Sequence, residues 1–94
     1  MSETREIRIK RLLYQSWYRG CKETDRIVGY FCKDNIHDMS DDELTELQQA
    51  MDEADADIYA WCTGSKPVPE ELQNNEVLKR IIAYDVVDAI RRYA

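Results

Sequence analysis

Ser40-Asp41-Asp42-Glu43-Leu44-Thr45-Glu46-Leu47-Gln48-Gln49-Ala50-Met51 is the stretch whose reading decides the fold. Ser40 followed three residues later by Glu43 is a capping box, in which each residue's side chain satisfies the other's otherwise orphaned backbone N–H. Met39 and Leu44 are spaced as a hydrophobic staple across that start. Asp41, Asp42 and Glu43 fall in the first turn, where the positive end of the helix dipole favours acids. Leu44, Leu47 and Met51 then recur at helical spacing, not with the alternation of a strand.

The same period continues outward in both directions. Downstream, a fourth segment begins near Asp55, carries Ile58, Tyr59, Trp61 and Cys62, and stops at Gly64. Ser65-Lys66-Pro67-Val68-Pro69 is a stiff loop, because each proline fixes its φ and blocks helix propagation. A fifth segment, from Glu70 or Asn75 to Tyr93, shows a broad apolar face of Val77, Leu78, Ile81, Ile82, Val86, Ala89 and Ile90. Upstream, a segment from Cys21 or Lys22 to Asn35 presents Ile27, Val28 and Phe31. Gly29 in its middle costs about 1 kcal/mol against alanine and points to close helix packing. The first segment, Thr4 to Tyr18, repeats Ile9, Leu12 and Leu13, and Gly20 supplies its stop. The expected fold class is all-α: a compact five-helix bundle with short connections, one domain over residues 1–94.

A chain of 94 residues buries only about 60–65% of its unfolded surface, which leaves little room for a deep catalytic cavity. The net charge of −6 is unevenly spread. Residues 1–26 carry seven bases against four acids, whereas residues 38–57 carry nine acids and no base. Such a dipole steers the chain onto a partner of matching pattern. It also repels phosphates, so nucleic acid is excluded as a partner. No apolar run reaches the ~18 residues of a membrane span. Cys21, Cys32 and Cys62 are odd in number, without a C-x-x-C pair, and His37 is the only histidine. That pattern supports neither a zinc site nor a disulfide framework. Reduced thiols fit a cytoplasmic compartment, and Glu3 and Glu6 argue against a transit peptide. The expectation is a complete bacterial-type cytoplasmic protein.

Enzyme chemistry finds no foothold. His37, beside Asp38 before the third helix, reads as a surface loop histidine and not as a triad member. There is no glycine-rich phosphate loop or dinucleotide fingerprint, and no EF-hand loop aligns with the acids. Cys32 and Cys62 read as small buried hydrophobes. Cys21, near a helix N-terminus and beside Lys22, keeps a thiol-dependent redox role open. No catalytic or metal-binding residue is assigned.

Recognition has a better candidate. Arg19-Gly20-Cys21-Lys22-Glu23-Thr24-Asp25 joins the first two helices and concentrates charge at a rigid corner. Trp17 and Tyr18 lead into it, and aromatic residues with arginine dominate interface hot spots. A purely structural role is equally compatible with the residues themselves: Gly20 would end one helix, Glu23 would cap the next, and Arg19 would be solvated.

Four blocks in order resemble one family. Arg19-Gly20-Cys21-Lys22-Glu23 matches an R-G-x-x-E hallmark, preceded by Arg11-Leu12-Leu13-Tyr14-Gln15-Ser16-Trp17-Tyr18. Ser40-Asp41-Asp42-Glu43-Leu44, then Asp55-Ala56-Asp57-Ile58-Tyr59-Ala60-Trp61, then Gly64-Ser65-Lys66-Pro67 complete the set. These resemble the SdhE family of succinate dehydrogenase assembly factors, the flavinators, some bacterial members of which carry an antitoxin name. Cys21 stands where the family usually has methionine, and Ala56 where proline is common. The resemblance implies an assembly factor and not an enzyme. It would bind the flavoprotein subunit of succinate dehydrogenase, or of fumarate reductase, and promote covalent attachment of FAD there, holding no cofactor stably itself. Arg19 and Glu23 would make charge-assisted hydrogen bonds to the flavoprotein, and Gly20 would admit close backbone approach. Arg8, Arg11 and Asp25 would extend the contact. The chain would act as a monomer, with self-association left open. The alternative is a small helical interaction module of antitoxin or regulator type with a different partner.

Overall fold

The computed structural model describes residues 3–18 and 20–93. Among them every regular element is helical, with six α-helices: α1 (Arg5–Trp17), α2 (Lys22–Asn35), α3 (Asp41–Met51), α4 (Asp55–Thr63), α5 (Glu76–Ile82) and α6 (Val86–Tyr93). Short 3₁₀ turns cover Ile36–Asp38 and Glu70–Leu72. The all-α class stands, and the count of five is corrected to six.

The starts follow the local chemistry. Thr4 caps α1, its hydroxyl accepting from the Ile7 N–H at 3.2 Å. At α3 both halves of the capping box form: the Ser40 hydroxyl accepts from the Glu43 N–H at 3.1 Å, and the Glu43 carboxylate accepts from the Ser40 N–H at 2.9 Å. Gly64 closes α4 in the left-handed region at φ 77°, which lets the Ser65 N–H reach the Ala60 carbonyl at 2.9 Å.

The fifth segment divides because two residues compete with its apolar period. The Asp85 carboxylate accepts from the Asp88 N–H at 3.0 Å, which starts a new helix at Val86. Tyr84, just before it, turns its ring edge-on to Phe31, with centroids 5.6 Å apart. Asn75 likewise caps α5 by accepting from the Leu78 N–H at 2.8 Å.

The core forms where α1, α2, α3 and α5 meet, with α4 closing one side. Leu12, Val28, Phe31, Cys32, Leu44, Leu47, Ile58, Leu78 and Ile81 are all buried there. Cys32 thus packs as a small hydrophobe. Cys62 is half-buried, and that burial pushes its thiol pKa up. Leu12, fully buried, and its neighbour Ile9 set α1 down across α2 and α3.

The last helix is attached differently. Ala89 is its only fully covered residue, and Val87 and Ile90 remain exposed. Its hydrogen bonds to α2 run through Asp34. That carboxylate accepts two guanidinium N–H groups of Arg92, at 2.8 and 3.3 Å, and the hydroxyls of Tyr84 and Tyr93.

This cluster titrates at both ends of the pH scale. Arg92, then the two tyrosines, hold the Asp34 carboxyl well below the usual carboxylate range. Its contribution is therefore present above ~4, the ordinary carboxylate value, and fades as pH falls below it. Burial, then the bond to Asp34, pushes Tyr84 up to about 12. A raised tyrosine favours the neutral ring in the folded chain, so its contribution is full below ~10 and disappears as pH rises through that higher value. An alkaline titration followed by tyrosinate absorbance should show a ring ionising near 12 as α6 detaches. All six tyrosines ionising together near ~10 would contradict the contact.

Candidate functional site

The joint between α1 and α2 lies on the surface. Gly20 is exposed at φ 101°, a conformation that disfavours any residue with a side chain, and among the described residues, its chain neighbours aside, no heavy atom lies within 4 Å of where its Cβ would stand. Tyr18 is 71% exposed. Its ring lies 4.6 Å from that of Tyr14, which is 67% exposed. Arg19 lies outside the described residues.

On the α2 side the chain turns at Cys21, which occupies the N-cap position in an extended conformation. Its thiol donates to the Glu23 carboxylate at 3.4 Å, and the Thr24 hydroxyl sits 3.4 Å from the same sulfur. Thr24 is buried and also donates to the Asp55 carbonyl at 3.3 Å, pinning the corner to the start of α4. Glu23 is exposed. Its own backbone N–H, then the Cys21 thiol, hold its carboxyl below the ordinary value. Glu23 is therefore anionic and directed by local bonds. Asp25 is half-buried in the same first turn.

Trp17, the last residue of α1, is half-buried. Its indole lies flat on Gly29 of α2, so closely that a Cβ at residue 29 would stand 2.6 Å from the ring. The edge of Tyr30 meets the same indole, with centroids 4.9 Å apart at 81°. The close packing expected from Gly29 is this contact.

Arg8 and Arg11 lie further back along α1, about 14 and 9 Å from Trp17 at 1.5 Å per residue. Both turn toward α3. Arg8 donates to the Thr45 hydroxyl at 2.8 Å. Arg11 donates to Gln48 at 2.7 Å and, through two nitrogens, to Glu3 at 2.7 and 3.2 Å. The structure therefore gathers Trp17, Tyr18, Gly20, Glu23 and Asp25 at one corner, with the two arginines on the adjoining α1–α3 face. Sequence reasoning passed over Tyr14, whose i, i+4 spacing to Tyr18 was the available signal. It also passed over the groove of about 380 Å³ between this tyrosine pair and Gln48, Met51 and Asp52.

Among the described residues no group of His, Cys, Asp and Glu is placed to hold a metal ion, and no helix is long and apolar enough to cross a membrane. His37 is exposed in the 3₁₀ turn before α3.

A family model described as "Flavinator of succinate dehydrogenase" matches residues 10–85, a span that begins in α1, crosses the corner and ends before α6. The chain belongs to this family. A relative from Mycosarcoma maydis is 46% identical over 68 residues, 72% of this chain and 29% of the relative. One from Meyerozyma guilliermondii is 40% identical over 82 residues, covering 84% and 61% of the two chains. A third, from Schizosaccharomyces pombe, is 40% identical over 82 residues, covering 87% and 59%. Each is named "Succinate dehydrogenase assembly factor 2, mitochondrial". The chain thus spans between about three-tenths and three-fifths of the length of these curated relatives. Their mitochondrial names overturn the cytoplasmic expectation, which rested on cysteine usage and on two acids near the N-terminus.

Proposed function

We propose that this chain is an assembly factor for succinate dehydrogenase. It binds the flavoprotein subunit and promotes covalent attachment of FAD to that subunit, without itself making or breaking the bond. Family membership and the names of the relatives support the role in assembly. The observation that carries the docking site is Gly20: an exposed glycine at positive φ, with open space around it, at the centre of the R-G-x-x-E motif.

Open space at Gly20 lets a partner backbone approach the corner. Arg19 and Glu23 flank it and supply charge-assisted hydrogen bonds to the flavoprotein. Tyr18 adds a large exposed ring and Asp25 a further acid; Trp17 stiffens the entry, and Arg8 and Arg11 extend the surface along α1. The helper binds the flavoprotein conformation in which flavin and acceptor side chain are correctly placed. It shifts the flavoprotein's population toward that state by its differential affinity.

The test uses purified apo-flavoprotein, FAD and this chain, with covalent flavin read by in-gel fluorescence. The chain should accelerate flavin attachment, and Glu23→Ala should lower that acceleration by about tenfold or more, as loss of a charge-assisted interface bond does. Glu23 is exposed, so thermal stability should change little. A loss of stability as large as the loss of flavinylation would make Glu23 a helix-capping residue only. A flavoprotein that acquires flavin equally fast without the chain would remove the function.

A further inference from the structure

We propose that Asp34, at the far end of α2 from the corner, is a positioning residue for it. Asp34 docks α6, and α6 in turn braces the ring ladder that ends on Trp17. The inference rests on the docking role assigned to the corner above.

The ladder is continuous. The Tyr93 ring stacks on Tyr30, with centroids 5.5 Å apart and planes within 7°. Tyr30 then meets Trp17 edge-on at 4.9 Å. Trp17 is the last helical residue before the corner, and its indole also lies against the bare backbone of Gly29. Tyr93 therefore supports Tyr30, and Tyr30 with Gly29 fixes the exit of α1. Tyr93 itself is held by three cationic or anionic neighbours: Asp34 accepts its hydroxyl, the Lys33 ammonium lies 4.0 Å from its ring centroid, and the Arg92 guanidinium lies 5.3 Å away.

The weak link is α6. A helix of eight residues does not persist alone in water, so it exists only while docked. Asp34 is the shared acceptor for Arg92, Tyr84 and Tyr93, all from the C-terminal segment. Removing this one carboxylate leaves Arg92 with Asp88 of its own helix, at 2.9 Å, and Tyr84 with the Tyr30 carbonyl, at 3.2 Å, and takes from Arg92 and Tyr93 their hydrogen bonds to α2. Undocked, α6 takes Tyr93 off Tyr30, and Tyr30, no longer backed on its far face, is freer to turn away from the Trp17 indole. The corner then samples a wider range of orientations, and a partner must select from them, which lowers apparent affinity by the competent fraction.

The test reads Trp17 directly. Trp61→Phe leaves Trp17 as the sole tryptophan. The buried Trp61 indole N–H has no acceptor among the described residues, so phenylalanine removes an unsatisfied donor and the fold should tolerate it. In that background Asp34→Ala should speed amide exchange across α6, move Trp17 emission to longer wavelength, and weaken flavoprotein binding roughly three- to tenfold. Tyr93→Ala, which spares the Asp34–Arg92 pair, should reproduce the Trp17 shift and decides the matter should Asp34→Ala prove unstable. Lys66→Ala, which breaks the Lys66–Asp57 pair elsewhere, should change none of these. Unchanged α6 exchange in Asp34→Ala, or an unchanged Trp17 signal once α6 is loose, overturns the inference. A parent chain that binds the flavoprotein, with a variant that binds equally well, overturns it alone. A parent chain that does not bind at all removes the docking role and this inference together.

Discussion

Gly20→Leu is expected to leave the helices intact and abolish the acceleration of flavin attachment. At φ 101° a leucine is strained by about 1–2 kcal/mol, the cost of left-handed backbone for a residue with a Cβ. A domain of this size typically holds 5–15 kcal/mol, so the variant should fold and keep its far-ultraviolet helical spectrum. Its chain neighbours aside, no described residue comes within 4 Å of the new Cβ, so the side chain starts into open space and not into the core. The added side chain occupies the space through which a partner backbone must approach, and relief of the strain swings Glu23 relative to Tyr18. Either effect acts at the centre of the proposed contact, where single changes commonly cost 2 kcal/mol or more, about thirtyfold in affinity. Gly20→Ala separates the two causes, since it carries the strain with almost none of the bulk. Wild-type flavinylation by Gly20→Leu would show that the corner is not the docking surface.

What could be read from the sequence divides by range. The starts of α1 and α3 were legible because Thr4, Ser40 and Glu43 bond within three residues of themselves. Gly64 was legible for the same reason. The break between α5 and α6 was not, although Asp85 and Asp88 stand at N-cap spacing. The apolar run from Val77 to Ile90 keeps helical phase across the break, and period outweighed the cap. The corner could be found as a motif because its residues are contiguous. Arg8 and Arg11 drew attention by their charge, but their partners Thr45 and Gln48 lie 37 residues away, and nothing local announces them. Asp34 escaped notice altogether: its partners Tyr84, Arg92 and Tyr93 stand 50, 58 and 59 residues further on. A single carboxylate in the last turn of a helix otherwise reads as solvated surface. Compartment was misread for a different reason, since cysteine count constrains disulfides and carries little information about the organelle.

Gly29→Ala should destabilise the chain, against the usual direction for a glycine inside a helix. Propensity alone favours alanine by about 1 kcal/mol. The new methyl, however, would stand 2.6, 2.7 and 2.8 Å from three atoms of the Trp17 ring system, well inside van der Waals contact. The indole cannot slide away freely, because the Tyr30 edge already meets it. Overpacking of this kind costs about 1–3 kcal/mol, so after the propensity gain the net loss is up to about 2 kcal/mol, or up to roughly 8–16 °C in Tm for a chain of this size. The sign is the informative part. In a Trp17→Ala background the obstruction is gone, and the same Gly29→Ala change should raise Tm by the helix-propensity gain. Thermal melts of the four chains in this cycle isolate the coupling between the two residues. A Gly29→Ala chain that is more stable than wild type with Trp17 present would mean that the indole does not rest on the α2 backbone, and the brace behind the corner would go with it.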